Sequence, residues 1–208
     1  MAIFDPTIFQ GLSGSVGNVT AYKLGDKHVA RGKAIVIKDA KTLAQLKQRE
    51  RMRVVTALRR GFIVVLEAGY CSASRKVCSN CFVRDNIGKV EVDDELNTTV
   101  DLLSLSLSGG ELGMPRIGAE VEAGERQVVF RWESQPLMPR MEKDDRLFGA
   151  VFERVLRRSR LVELGTRGEC GELAWMLPEE WDVGQLVVYG FATSANGKRA
   201  SGTLGILG

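Results

Sequence analysis

Histidine is almost missing from this chain: His28 is the only one among 208 residues. The commonest general base is therefore unavailable, and no Ser-His-Asp or Cys-His arrangement can form except through His28 itself. Long apolar runs are missing too. Phe62–Leu66, the longest near any helical stretch, falls far short of the roughly 20 residues that span a bilayer, so no membrane insertion is expected. The opening Met-Ala-Ile-Phe-Asp-Pro has no positive n-region, no apolar h-region and no small-residue cleavage site. The expected location is the cytoplasm as synthesised, followed by incorporation into a larger assembly.

Cysteines are few and poorly spaced for chemistry. Cys78-Ser-Asn-Cys81 is a C-x-x-C, but a structural zinc site wants a second ligand pair, and only the distant Cys170 remains besides Cys71. A thioredoxin-like site would need a βαβ pattern that is absent. Cys71, Cys78 and Cys81 are expected to pack as small apolar thiols on or near one face of a short helix. No metal, no cofactor and no catalytic residue is assigned. Carboxylate pairs such as Glu142 with Asp144, or Glu179 with Glu180, have no nucleophile or cofactor motif beside them and read as solvated loop charges.

What is present is an ordinary globular composition, 44% hydrophobic and 26% charged, with a formal net charge of +3. That small total hides an asymmetry. Residues 1–64 carry 12 Lys/Arg against 4 Asp/Glu, whereas residues 65–208 carry 17 against 22.

Glycines at 11, 14 and 17 lead not into a helix, as a phosphate cradle requires, but into an alternating run Asn18–Leu24. Gly25-Asp26 then breaks the chain before Lys27–Ala34, which predicts a β-hairpin. Thr42-Leu-Ala-Gln45 fits a capping box, the Leu43, Leu46, Val54 and Leu58 stripe predicts a helix, and Gly61 is its expected stop. Phe62–Tyr70 fits a buried strand or a continued helix, Ser72–Asn86 a short helix, and Glu91–Glu95 a solvated loop without calcium-site spacing. From residue 99 the apolar period becomes two, in Leu103/Leu105/Leu107, Val128/Phe130/Trp132 and Phe148/Ala150/Phe152, with turn signals such as Ser108-Gly-Gly110 and Arg157-Arg-Ser-Arg160 between runs. The expected fold is mainly β with a short α-helical segment: an antiparallel β-sandwich of the immunoglobulin/fibronectin type III kind, preceded by an N-terminal β-hairpin and helix. The expected division is a basic segment over residues 1–98 and a sandwich over residues 99–208.

Three N-terminal stretches, Gly11-Leu-Ser-Gly-Ser-Val-Gly-Asn-Val-Thr-Ala-Tyr22-Lys23, Arg31-Gly-Lys33 and Thr42-Leu-Ala-Gln-Leu-Lys-Gln-Arg49, resemble the opening of a family of uncharacterised bacterial proteins, a domain of unknown function. Val100–Leu112, Val128–Trp132, Leu186–Phe191 and Gly197–Ser201 continue the likeness, whereas the four cysteines fall outside the family's pattern. The resemblance implies an Ig-like C-terminal sandwich behind a hairpin and helix, and supplies no catalytic residues.

Lys23, Lys27, Arg31, Lys33, Arg49 and Arg53 form the candidate partner-binding basic face. The expected function is a non-enzymatic structural, assembly or protein-binding module. Its basic segment docks on a neighbouring subunit, making a homo-oligomer, or on an acidic partner, in a virion-like or surface-filament setting. The alternative is nucleic-acid binding through the same cations, although only Tyr22 and Phe62 could stack on bases.

Overall fold

The computed structural model describes residues 2–4, 13–34, 39–72, 74–135 and 138–208. The chain divides into two compact units, Met1–Thr42 and Leu43–Gly208. The first is an antiparallel sheet of β1 (Ala2–Phe4), β2 (Gly14–Val16), β3 (Val19–Leu24) and β4 (Lys27–Gly32), in the order β1-β4-β3-β2. The expected hairpin is β3–β4, with Leu24 opposite Lys27 across the Gly25-Asp26 turn. Gly25 has φ +60°, which a side chain resists and glycine adopts freely. Gly11 of the glycine series lies outside the described residues.

The second unit opens with α1 (Leu43–Gly69) and α2 (Arg75–Asn86), followed by a small hairpin of β5 (Val90–Val92) and β6 (Thr98–Val100). Seven strands follow: β7 (Ile117–Glu122), β8 (Gln127–Trp132), β9 (Arg146–Glu153), β10 (Arg158–Thr166), β11 (Gly171–Met176), β12 (Leu186–Thr193) and β13 (Leu204–Leu207). They form a three-stranded sheet β11-β8-β7 and a four-stranded sheet β10-β9-β12-β13, all antiparallel, so the fold is the expected β-sandwich.

The sandwich is covered on one side by the helices. Val128, Phe130 and Trp132 meet Leu147, Val151 and Val188 between the sheets. The opposite face of the four-stranded sheet places Phe148, Ala150, Phe152, Val187, Tyr189 and Phe191 against Val55, Phe62 and Leu66 of α1 and Phe82 of α2. Phe62 stacks on Phe152 with ring centroids 4.3 Å apart and meets Tyr189 edge-on at 6.0 Å. Both faces of β9 and β12 are thus buried, which explains why Leu186–Phe191 reads as a continuous apolar run rather than an alternating one.

The helix does not stop at Gly61. It continues to Gly69, and of the two readings of Phe62–Tyr70 the continued helix is correct. Gly61 is a close-approach residue: a Cβ there would lie 2.5 Å from the Arg157 carbonyl oxygen and 3.1 Å from the Phe152 ring. The Ser159 hydroxyl donates to the Gly61 carbonyl at 2.6 Å, joining α1 to the start of β10.

Leu103–Leu107 is not a strand either, although Leu105 and Leu107 are buried in alternation. A 3-10 turn occupies Leu102–Ser104, and side chains then satisfy the extended backbone. The buried Asn86 amide donates to the Ser106 carbonyl at 2.8 Å and accepts from its N–H at 2.8 Å. Thr203 Oγ1 accepts from the N–H groups of Leu107 and Ser108 at 2.8 and 2.9 Å. The segment runs extended between α2 and the chain around Thr203, with amide and hydroxyl groups in place of a sheet neighbour.

Grouped by compact unit, the charge pattern changes. Residues 1–42 hold six Lys/Arg and three Asp/Glu, and residues 43–208 hold 23 of each. The helix that the sequence groups with the hairpin buries its apolar stripe on β9 and β12, inside the larger unit, where its cations are balanced.

Candidate binding surfaces

The hairpin cations do not share one face. Side chains directly opposite in an antiparallel pair project to the same side, and successive residues alternate. Lys23, opposite His28, therefore lies on one face of the sheet, whereas Lys27 and Arg31, opposite Leu24 and Thr20, lie on the other. All three are exposed, as is Lys33 beyond the end of β4. Lys33 is tied to the β2–β3 turn, its Nζ donating to the Gly17 carbonyl at 3.3 Å and its N–H to the Asn18 carbonyl at 2.6 Å. Val16, Val19 and Leu24 are exposed at 67, 44 and 60%. Among the unit's described residues, only Ala21 and Val29 are buried.

Arg49 and Arg53 belong to the other unit. They stand one turn apart on the exposed side of α1, beside Met52, Thr56 and Arg60. Arg53 Nε donates to Glu50 Oε2 at 2.6 Å. The expected basic face is thus divided between the two units.

The fold adds a second group of cations. The β9–β10 hairpin carries Arg154 and Arg157 in its turn, then Arg158 and Arg160 at the start of β10. Close packing at Gly61 sets this hairpin beside the arginines of α1. Arg157 has φ +54°, and the buried Glu153 carboxylate accepts from the Leu156 N–H, closing the turn. Val155 and Leu156 at its tip are 70 and 42% exposed. The sequence signal was the Arg157-Arg-Ser-Arg160 run itself, but its placement against α1 needs the tertiary fold.

The cysteines are spread over several environments. Cys71 precedes α2 rather than lying on it, and donates through Sγ to the Ala68 carbonyl at 3.4 Å; burial pushes its thiol up. Cys78 is buried, Cys81 half-buried and Cys170 exposed, and all four are free thiols. Among the described residues, no three His, Cys, Asp or Glu side chains gather as a metal-ligand group. Glu142, Asp144, Glu179 and Glu180 are exposed; Glu142 pairs with Arg199 at 3.4 Å and Glu180 with Arg158 at 3.0 Å.

A concavity of about 910 Å³ opens at one end of the three-stranded sheet between Arg116, Trp132, Cys170 and Leu204. Arg131 at its margin is already held by Glu120 and Glu172, at 3.0 and 3.1 Å. No helix among the described residues is long and apolar enough to cross a membrane. Comparison with protein-family models, curated proteins and solved structures finds no match for the chain.

Proposed function

We propose that this chain is a non-enzymatic assembly module whose N-terminal sheet docks on a neighbouring subunit or on an acidic partner. One observation carries the reading. The sheet buries only Ala21 and Val29 among its described residues and leaves Val16, Val19 and Leu24 open. A thin sheet of short strands gains little stability alone and needs a further apolar surface. The exposed Lys23, Lys27, Arg31 and Lys33 around it favour acidic groups on that surface and oppose basic ones. A virion-like or surface-filament assembly is a setting for such a module.

The test is light scattering of the full chain at low and at high salt. Assembly predicts a mass above that of one chain, reduced towards the monomer by Leu24→Glu or by Lys27→Glu with Arg31→Glu. A monodisperse monomer at high protein concentration and low salt overturns self-assembly. The nucleic-acid alternative is favoured by the arginine surface of α1 and the β9–β10 hairpin. It requires steeply salt-dependent retention of DNA or RNA, lost on charge reversal at Arg49 and Arg53.

A further inference from the structure

A recess of about 410 Å³ lies within the larger unit, where three parts of the chain converge. Its apolar lining includes Ala57 and Leu58 of α1 and Leu102 beyond β6, and its charged lining is Arg53, Arg154 and Arg157. No acidic side chain lines it among the described residues. Arg53 is already engaged by Glu50 at 2.6 Å. Arg154 and Arg157 have no ion-pair partner among the described residues. Two guanidiniums with open donor forks therefore share a hollow of mixed polar and apolar lining, an arrangement complementary to carboxylates carried beside aliphatic side chains.

The recess is one station on a longer track. Arg53 and Ala57 also face a shallow groove that passes Met52, and Arg157 faces a second groove that passes Ile63 and Val64. Met52, Ile63 and Val64 are 46, 38 and 55% exposed. An extended ligand suits this track better than a compact ion. The exposed apolar contacts are aliphatic, whereas single-stranded nucleic acid is gripped by aromatic platforms. A bilayer surface would meet the exposed Val155 and Leu156 of the hairpin tip without filling the hollow.

We propose that this recess binds an extended protein segment in which acidic residues alternate with aliphatic ones. An aliphatic side chain enters between α1 and the β9–β10 hairpin, and flanking carboxylates pair with Arg154 and Arg157. Every residue that lines the site belongs to Leu43–Gly208, so the proposal does not rest on the docking of the N-terminal sheet.

Fluorescence anisotropy of the full chain tests it, with a short labelled peptide of alternating glutamate and leucine as the probe. The peptide should bind, and Arg154→Glu with Arg157→Glu should weaken it by about tenfold or more, since two charge-assisted contacts become repulsive. Ala57→Trp, which fills the hollow without changing charge, should weaken it as well. Lys76→Glu with Lys198→Glu, an equal change of charge at exposed sites elsewhere, should leave binding nearly intact. Circular dichroism confirms that each variant is folded, and Ala57→Trp decides alone if the arginine variant is not. The proposal is overturned if the wild-type chain does not bind the probe, or if Ala57→Trp binds it unchanged. It is overturned equally if the Lys76/Lys198 variant loses as much as the arginine variant. Tighter binding of polyglutamate or of oligothymidylate than of the peptide would also sink it, the latter in favour of nucleic acid.

Discussion

Arg167 Nε lies 3.2 Å from Asp145 Oδ2, and both side chains are 1% exposed. The guanidinium also donates to Gln135 Oε1 at 2.5 Å and to the Gly113 carbonyl at 2.8 Å, while Asp145 Oδ2 accepts from the Glu142 N–H at 3.1 Å. Burial pushes the Arg167 pKa down, and Asp145 opposes that shift. Backbone bonds run through the same residues: the Arg167 N–H donates to the Asp145 carbonyl at 2.8 Å, and the Gln135 N–H to the Arg167 carbonyl at 3.1 Å. One buried ion pair therefore fastens three connections at one end of the sandwich: the segment before β7, the β8–β9 loop and the β10–β11 turn.

Removing one partner leaves an uncompensated buried charge. Arg167→Leu should cost about 3–5 kcal/mol in urea unfolding. Arg167→Leu combined with Asp145→Leu should be less damaging than the single variant, because no charge is stranded. A single-variant loss within about 0.5 kcal/mol, the scale of an ordinary surface substitution, would show that the pair is not needed.

Gly61 provides a prediction of sign. In an exposed helix interior, Gly→Ala gains about 1 kcal/mol from propensity. Here the new methyl group would meet the Arg157 carbonyl at 2.5 Å, so Gly61→Ala should lower the melting temperature. The expected loss is about 1–3 kcal/mol, that of overpacking a close contact. A raised melting temperature would mean that α1 and the β9–β10 hairpin are not held this closely.

Asp93 sets a dependence on acid. Its carboxylate accepts from the N–H groups of Asn97 and Glu95 at 2.8 and 2.9 Å and from the Asn97 side-chain amide at 2.9 Å, and these bonds hold its pKa below the ordinary value. The folded state favours the ionised form, so the support this group lends to the β5–β6 turn is present above the ordinary aspartate value of about 3.9 and fades as pH falls through the lower folded value. Amide protection of Glu95 and Asn97, followed by NMR as pH is lowered, should decline below about pH 4. In Asp93→Ala the protection should be low at neutral pH and insensitive to acid.

Tyr189 sets the alkaline limit. Its hydroxyl donates to the Leu102 carbonyl at 2.6 Å, and burial pushes the phenol pKa up against the pull of Arg154. The folded state favours the protonated phenol. Its contribution is intact below the ordinary tyrosine value of about 10 and is lost as pH rises towards the folded value. Tyr189→Phe should cost about 1 kcal/mol at neutral pH through the lost hydrogen bond and flatten the stability loss above about pH 10. Denaturant titrations at neutral and alkaline pH would expose either failure.

Local chemistry made much of the fold legible. Gly25-Asp26 between alternating runs marked the β3–β4 hairpin, Thr42 stands immediately before α1, and the period-two stretches from Val128 onward became sandwich strands. Two other local signals misled for physical reasons. Gly61 looked like a helix stop because glycine is the usual C-terminal punctuation, but its missing side chain makes room for the Arg157 carbonyl, about a hundred residues away in sequence. Leu103–Leu107 carried a strand's alternation, yet its backbone partners are the Asn86 amide and the Thr203 hydroxyl, which no short window of sequence relates to it.

The candidate site divided in the same way. Exposure of Lys23, Lys27, Arg31, Lys33, Arg49 and Arg53 followed from their charge, because Lys and Arg side chains rarely enter a core. Which of them share a surface did not follow. Strand register sends Lys23 to one face and Lys27 and Arg31 to the other, and α1 belongs with the sandwich because Val55, Phe62 and Leu66 find their apolar partners on β9 and β12. By itself the sequence determined the class of fold and confined any histidine chemistry to His28, since both rest on composition and local periodicity. Only the tertiary structure set Arg154 and Arg157 beside α1 and placed Arg167 against Asp145, because those neighbours are chosen by packing between segments far apart along the chain.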